Sequence, residues 1–148
     1  MSKLRVLFVC VYNAARSQMA EAFLNSLAGD KFEAESAGLT PTDVNPIVVE
    51  VMKEVSIDIS HKETNSVFDF FKQGRKYNYV ITVCDESRSG QCPLFPGKIK
   101  RLHWSFEEPA SFSGTEEEVK SKIRKVRDLI KEKISEFIKT EPASLWKG

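Results

Sequence analysis

The segment Cys10-Val11-Tyr12-Asn13-Ala14-Ala15-Arg16-Ser17 sets a thiol and a guanidinium at C-x5-R spacing across small and polar residues. A loop of this length can turn its backbone N–H groups inward around a tetrahedral oxyanion, and a helix starting just after it adds partial positive charge. Arg16 supplies a planar, bidentate cationic clamp for such an anion. The same donors favour a negatively charged sulfur on Cys10, so one loop makes both nucleophile and anion site. Substrate contacts are expected from Val11, Tyr12, Asn13, Ala14, Ala15 and Arg16. Ser17 either donates its hydroxyl to the thiolate or caps the helix, and Asn13 tolerates the left-handed backbone that a tight cradle needs. The plainer alternative is that Cys10 is a buried, inert cysteine ending a strand. C-x5-R is a weak pattern by itself, and its place between a strand and a helix gives it weight. A nucleotide phosphate loop is disfavoured, since no G-x4-G-K-[ST] occurs in the chain.

Two further thiols follow. Cys84 ends a hydrophobic run just as Cys10 does, and Cys92 lies eight residues beyond it, across the polar, glycine-containing stretch 85–91. If the first and third strands are neighbours, Cys10 and Cys84 emerge at one carboxyl edge and can approach each other. A stretch that bends brings Cys92 to the pair, and thiol exchange needs that access and alignment. Two unrelated packing cysteines are the alternative. A zinc site from Cys84, Cys92 and His103 has suitable ligand types but lacks a C-x2-4-C knuckle and a second ligand pair. His103 reads better as a strand-end histidine and His61 as a solvent-facing one.

The elements that carry these groups show in the hydrophobic pattern. Residues 4–9 form a nearly continuous apolar run of strand length, and 16–28 place Met19, Ala20, Phe23, Leu24 and Leu27 at helical spacing. Gly29 is expected to close that helix in a left-handed conformation, and 32–37 alternate as a second strand before a turn at Gly38. Asn45 and Pro46 predict an N-cap and first helical position, with Ile47, Val48, Val51, Met52 and Val55 on one face. A shorter helix is expected over 66–73, with Val67, Phe68, Phe70 and Phe71 crowding one side before Gly74. Residues 77–83 predict a third strand, and 98–104 a fourth whose stricter alternation suits an edge. Thr115 with Glu118 is a capping box that opens an amphipathic helix to about residue 139, its charged side a solvated face. Residues 40–46 mark a loop only. Strand and helix alternate, which predicts a three-layer α/β fold, a four-stranded parallel sheet with helices on both faces; the expected order is the flavodoxin-like 2-1-3-4.

Composition narrows the classes. A chain of 148 residues with 41% hydrophobic content suits one domain over 1–148. Twenty-two basic against 21 acidic residues leave a formal charge of +1, which argues against a broad surface for nucleic acid or anionic lipid. The first apolar run breaks into Asn and Arg, resembling neither a signal peptide nor a spanning helix, so a cytoplasmic monomer is expected. Three cysteines are an odd count that does not suit a fully paired secreted framework.

Taken together, CVYNAARSQMAEAF, ESAG, VITVCDE, CPLFPG and LHWSFEEPA closely resemble the thioredoxin-coupled arsenate reductases, which share the fold of low-molecular-weight protein tyrosine phosphatases. The resemblance runs from about residue 4 to 137. It implies that Cys10 attacks arsenate held by the loop and Arg16, with phosphate or sulfate as competing oxyanions. It implies further that Cys84 attacks Cys10 to release arsenite, that Cys92 opens that disulfide to give Cys84–Cys92, and that thioredoxin reduces the product. No flavin, haem or catalytic metal is implied. The family's general acid is an Asp before Pro; here the sequence is Glu108-Pro109, with Glu107 as fallback and a bland acidic turn as the alternative. Some relatives bind potassium through residues matching Asn13, Glu21 and Ser36 with an Asp that is Asn65 here, or those residues simply brace the loop. Ala15 stands where many relatives have a further cysteine, and Val11-Tyr12 replaces commoner small residues. Two rival functions remain: a phosphomonoester hydrolase using Cys10 and Glu108, and a non-catalytic redox switch built on Cys84 and Cys92.

Overall fold

The computed structural model describes residues 3–84 and 91–141. Its elements are β1 (Leu4–Cys10), α1 (Arg16–Ala28), β2 (Phe32–Gly38), α2 (Pro46–Lys53), α3 (Val67–Lys72), β3 (Tyr79–Thr82), β4 (Lys100–His103), a 3-10 turn (Pro109–Ser111) and α4 (Glu116–Thr140). The strands form one sheet of order β2-β1-β3-β4. Every pairing is parallel, with Cys10 opposite Gly38 and Val9 opposite Thr82. β1 is therefore central, and the short β4 is an edge, as its alternation predicts.

Strand alternation splits the core in two. Phe8, Cys10, Tyr79 and Ile81 face a large cluster that includes the buried sides of α1, α2 and α4. Leu7, Val9 and Val80 face a smaller one with Val67 and Phe70 of α3, and Phe95. Helices thus cover both faces. On the larger side, Phe137 of α4 packs its ring 5.1 Å from Tyr79 and 5.7 Å from Trp104. Such edge-to-face aromatic pairs contribute about 0.5–1.5 kcal/mol each beyond area burial, and they fix α4 against β3 and the end of β4. The capping box of Thr115 and Glu118 starts α4 as the sequence predicts. Asn45 caps α2 by accepting from the Ile47 N–H, with Pro46 at the first turn. Among the described residues, no helix is long and apolar enough to cross a membrane.

Three local expectations are corrected. Gly29 is right-handed at φ −64°, because the chain coils on until the Lys31 N–H reaches the Ala28 carbonyl. Glycine serves there for close approach: a Cβ would run into the Asn25 carbonyl. Phe68 and Phe71 are each 41% exposed, since a six-residue helix can turn only Val67 and Phe70 into the core. Gly38 continues β2 and ends it, where a turn was expected.

Candidate active site

β1 delivers Cys10 to the carboxyl edge of the sheet, where the crevice of an open α/β fold lies. The chain then loops over 11–15 and enters α1 at Arg16. Asn13 takes φ +54°, the left-handed turn that its residue type permits, and this brings the Asn13 N–H within 3.2 Å of the Cys10 Sγ it donates to. Ser17 Oγ lies 2.8 Å from the same sulfur. Because Ser17 Oγ also accepts from Asn13 Nδ2 at 2.8 Å, its own proton is free to point at sulfur. Ser17 thus lies at Cys10, and the N-cap position is not its own. The residue at the N-cap is Ala15, with no side-chain cap, so the first-turn N–H groups of α1 have neither capping side chain nor intrahelical acceptor. That is the donor set an oxyanion needs.

The loop is braced from behind by a segment that the sequence marks only as loop. The N–H groups of Leu39, Thr40, Thr42 and Asn45 donate in turn to the carbonyls of Cys10, Val11, Tyr12 and Ala14, at 2.7–3.0 Å. With its carbonyls tied outward, the loop keeps its N–H groups for the interior. Gly38 makes this docking possible: a Cβ there would lie 2.8 Å from Asn13 N and 2.9 Å from the Val11 oxygen. The ESAG sequence carries this glycine, but hydrophobic patterning gives no hint that its missing side chain serves the loop.

Arg16, 1% exposed, crosses the mouth of the site. Its Nη1 donates to the Phe106 carbonyl at 3.1 Å, and Nη2 pairs with Glu108 Oε2. The other Glu108 oxygen accepts from the Ala110 N–H at 3.0 Å and caps the 3-10 turn. The acidic residue is thus both a turn cap and the partner of the guanidinium, which places a carboxyl group opposite the loop. Of the two candidates, Glu108 is the one brought to Arg16.

Cys84 stands two residues past β3, and the Val83 N–H donates to the Val9 carbonyl at 2.8 Å, so Cys10 and Cys84 leave neighbouring strands at the same edge. Both are buried in the larger core cluster. Cys92 instead packs against the smaller cluster on the other face and lines a cavity of about 280 Å³ with Thr82, Leu94 and His103. Burial, with the negative charge of Cys84 next in weight, pushes the Cys92 thiol up to about 11. None of the three cysteines is in a disulfide. Residues 85–90 of the connecting stretch lie outside those described. His103 Nδ1 is 2.7 Å from Thr82 Oγ1, a strand-end role as expected, and no group of three potential metal ligands occurs among the described residues.

The residues expected around a potassium ion also meet, but their oxygens face protein donors. Glu21 Oε1 accepts from Ser36 Oγ at 2.6 Å and Oε2 pairs with the ammonium of Lys62. Asn13 Oδ1 accepts from the Asn65 N–H at 2.8 Å, and Asn65 Nδ2 donates to the Ser36 carbonyl at 3.1 Å. This donor set does not fit a bound cation. Nothing in the sequence marks Lys62, since a lysine in a polar loop carries no distinguishing signal.

Comparison with known proteins agrees with this geometry. The model of the low molecular weight phosphotyrosine protein phosphatase family matches residues 5–145. An arsenate reductase of Oceanobacillus iheyensis is 37% identical over 140 residues, covering 95% of this chain and 99% of the relative. Among solved structures, an arsenate reductase in the phosphate binding state superposes with a TM-score of 0.73 at 31% identity, covering 94% of this chain and 99% of the other. The Corynebacterium glutamicum thioredoxin-dependent arsenate reductase gives 0.71 at 30% identity, covering 93% of this chain and 61% of that one.

Proposed function

The chain belongs to the low molecular weight phosphotyrosine protein phosphatase family, among its arsenate reductases, and on that premise we propose that it reduces arsenate to arsenite through Cys10, Cys84 and Cys92. The observation that carries the reading is a nucleophile-bearing oxyanion loop with a second buried thiol leaving the neighbouring strand at the same edge.

In the proposed sequence, arsenate enters the loop against the N–H groups of 11–15 and the Arg16 fork. Cys10 attacks arsenic while Ser17 and the Asn13 N–H hold its sulfur. Glu108, in its protonated form, gives a proton to the departing oxygen, which leaves as water, and a Cys10–arsenic bond remains. Cys84 then attacks the Cys10 sulfur. A sulfur–sulfur bond forms, the sulfur–arsenic bond breaks, and its electron pair stays on arsenic, taking As(V) to As(III) as arsenite departs. Cys92 attacks Cys84 next, which frees Cys10 as thiolate and leaves a Cys84–Cys92 disulfide. A dithiol protein reduces that disulfide. Thioredoxin is proposed here because a structural neighbour is named thioredoxin-dependent.

The family match also favours a second reading, phosphomonoester hydrolysis at the same loop, with Cys10 as nucleophile and Glu108 as acid. One assay separates them. Arsenite release with thioredoxin, thioredoxin reductase and NADPH is expected, and it is expected to stop in Cys84→Ser and Cys92→Ser. Aryl phosphate turnover that survives both substitutions, without arsenite release by the wild type, would favour the hydrolase. Running glutathione with glutaredoxin in parallel tests the reductant.

A further inference from the structure

We infer that Lys62 is a positioning residue of the anion loop, its ammonium standing permanently where a monovalent cation would otherwise compensate Glu21. Glu21 is 5% exposed, on the buried side of α1, and a carboxylate so placed needs a compensating charge. The charge comes from the loop between α2 and α3: the Lys62 side chain, 31% exposed, reaches in through a polar cleft that Glu21, Ser36 and Asn65 also line. Arg75 lines the same cleft, but its guanidinium is held by Glu35 at 2.7 Å.

From this pair, hydrogen bonds run without a break to the reactive sulfur. Glu21 fixes Ser36, whose carbonyl takes the Asn65 amide; the Asn65 N–H fixes Asn13 Oδ1, Asn13 Nδ2 fixes Ser17 Oγ, and Ser17 reaches Cys10. The same Asn13 supplies the left-handed turn of the loop. An ammonium and an alkali ion present the same charge to Glu21, but the ammonium is tethered and does not dissociate, so the loop keeps its shape at any salt composition. Without it, the carboxylate faces an open polar cleft and takes a cation from solution.

The inference concerns the anion site alone and is read by phosphate binding and thermal melting, neither of which depends on arsenate being reduced. Wild-type melting temperatures in KCl, NaCl and choline chloride at equal ionic strength are expected to coincide. In Lys62→Ala, the phosphate dissociation constant is expected to rise about tenfold in choline chloride, as for loss of a group that orients binding residues. KCl or NaCl should restore most of it, a rescue that a purely structural lysine would not show, and Lys62→Arg should bind phosphate like the wild type. A wild type stabilised by several degrees in KCl over choline chloride would overturn the inference, and that comparison stands even if the alanine variant does not fold. So would a Lys62→Ala protein that binds phosphate normally, or whose defect alkali ions leave untouched. If the wild type binds no phosphate at all, the functional reading of the loop fails instead, while the melting comparison still decides the role of Lys62.

Discussion

The loop around Cys10 and the segment around Cys92 serve one edge of the sheet but are held in opposite ways. Four backbone bonds from 39–45, the close approach of Gly38 and the Asn13–Ser17 pair fix the first from every side. Cys92 is half-buried on the other face of the sheet, its Sγ donating to the carbonyl of its neighbour Pro93 at 3.6 Å, a weak bond. Gripping an anion demands donors that are already in place, because reorganising them during reaction costs rate. Passing a disulfide from thiol to thiol demands the reverse, a sulfur that leaves its packing to align with another. The difference teaches that preorganisation is concentrated at the proposed anion site, and is lighter around the thiol that the proposed relay would move.

The sharpest way to break this comparison is to remove the fixed sulfur. Cys10→Ser should lower arsenate turnover by at least about 10³-fold and leave no arsenic adduct by mass spectrometry, because every later step starts from that bond. Next in size is Arg16→Lys, which keeps the charge but loses the fork that spans anion, Phe106 and Glu108. A fall in kcat/KM of about 10²–10³-fold is expected in steady-state kinetics, with an increase in KM as part of it. Glu108→Gln should lower kcat about 10²-fold with a smaller change in KM, and Glu108→Asp should lose less. For the third thiol, Cys92 at about 11 against an ordinary 9 should alkylate about a hundredfold more slowly than an exposed thiol near pH 8. The sign is fixed by its cause: burial disfavours the thiolate, so the rate climbs as pH rises toward 11 and is slow below. Smallest is Gly38→Ala, expected to cost about 1–3 kcal/mol of stability in denaturant titration and to weaken phosphate binding, as the cradle is pushed off β2.

The long periodic elements were open to view in the sequence. β1, α1 and α4 follow from apolar spacing and caps, and the parallel sheet follows from strands interleaved with helices, its order 2-1-3-4 being the flavodoxin-like one. Cys10, Arg16 and Ser17 were equally open, since the chemistry of a thiol next to a helix start is local. What stayed hidden is what depends on contact between distant segments. Thr40 and Thr42 brace the loop through backbone N–H groups that any residue but proline would supply, so little in their identity marks them. Lys62 meets Glu21 across 41 residues, and a surface lysine looks the same whether it faces water or a buried carboxylate. Gly29 and Gly38 carry the sequence signature of a helix end and a turn, whereas both are glycines because other backbone lies too close for a Cβ. Cys92 could be paired with Cys84 on paper, but its seat on the opposite face depends on how 91–95 fold under the sheet.

The central claim, that a sulfur fixed at the anion loop hands its bond to a neighbour and then to a third, is tested most directly by Cys92→Ser mixed with arsenate, quenched in acid and mapped by mass spectrometry. The account predicts one burst of arsenite, no further turnover, and accumulation of a Cys10–Cys84 disulfide. Continued turnover at the wild-type rate, or stalled protein in which Cys10 and Cys84 remain unlinked, would contradict it.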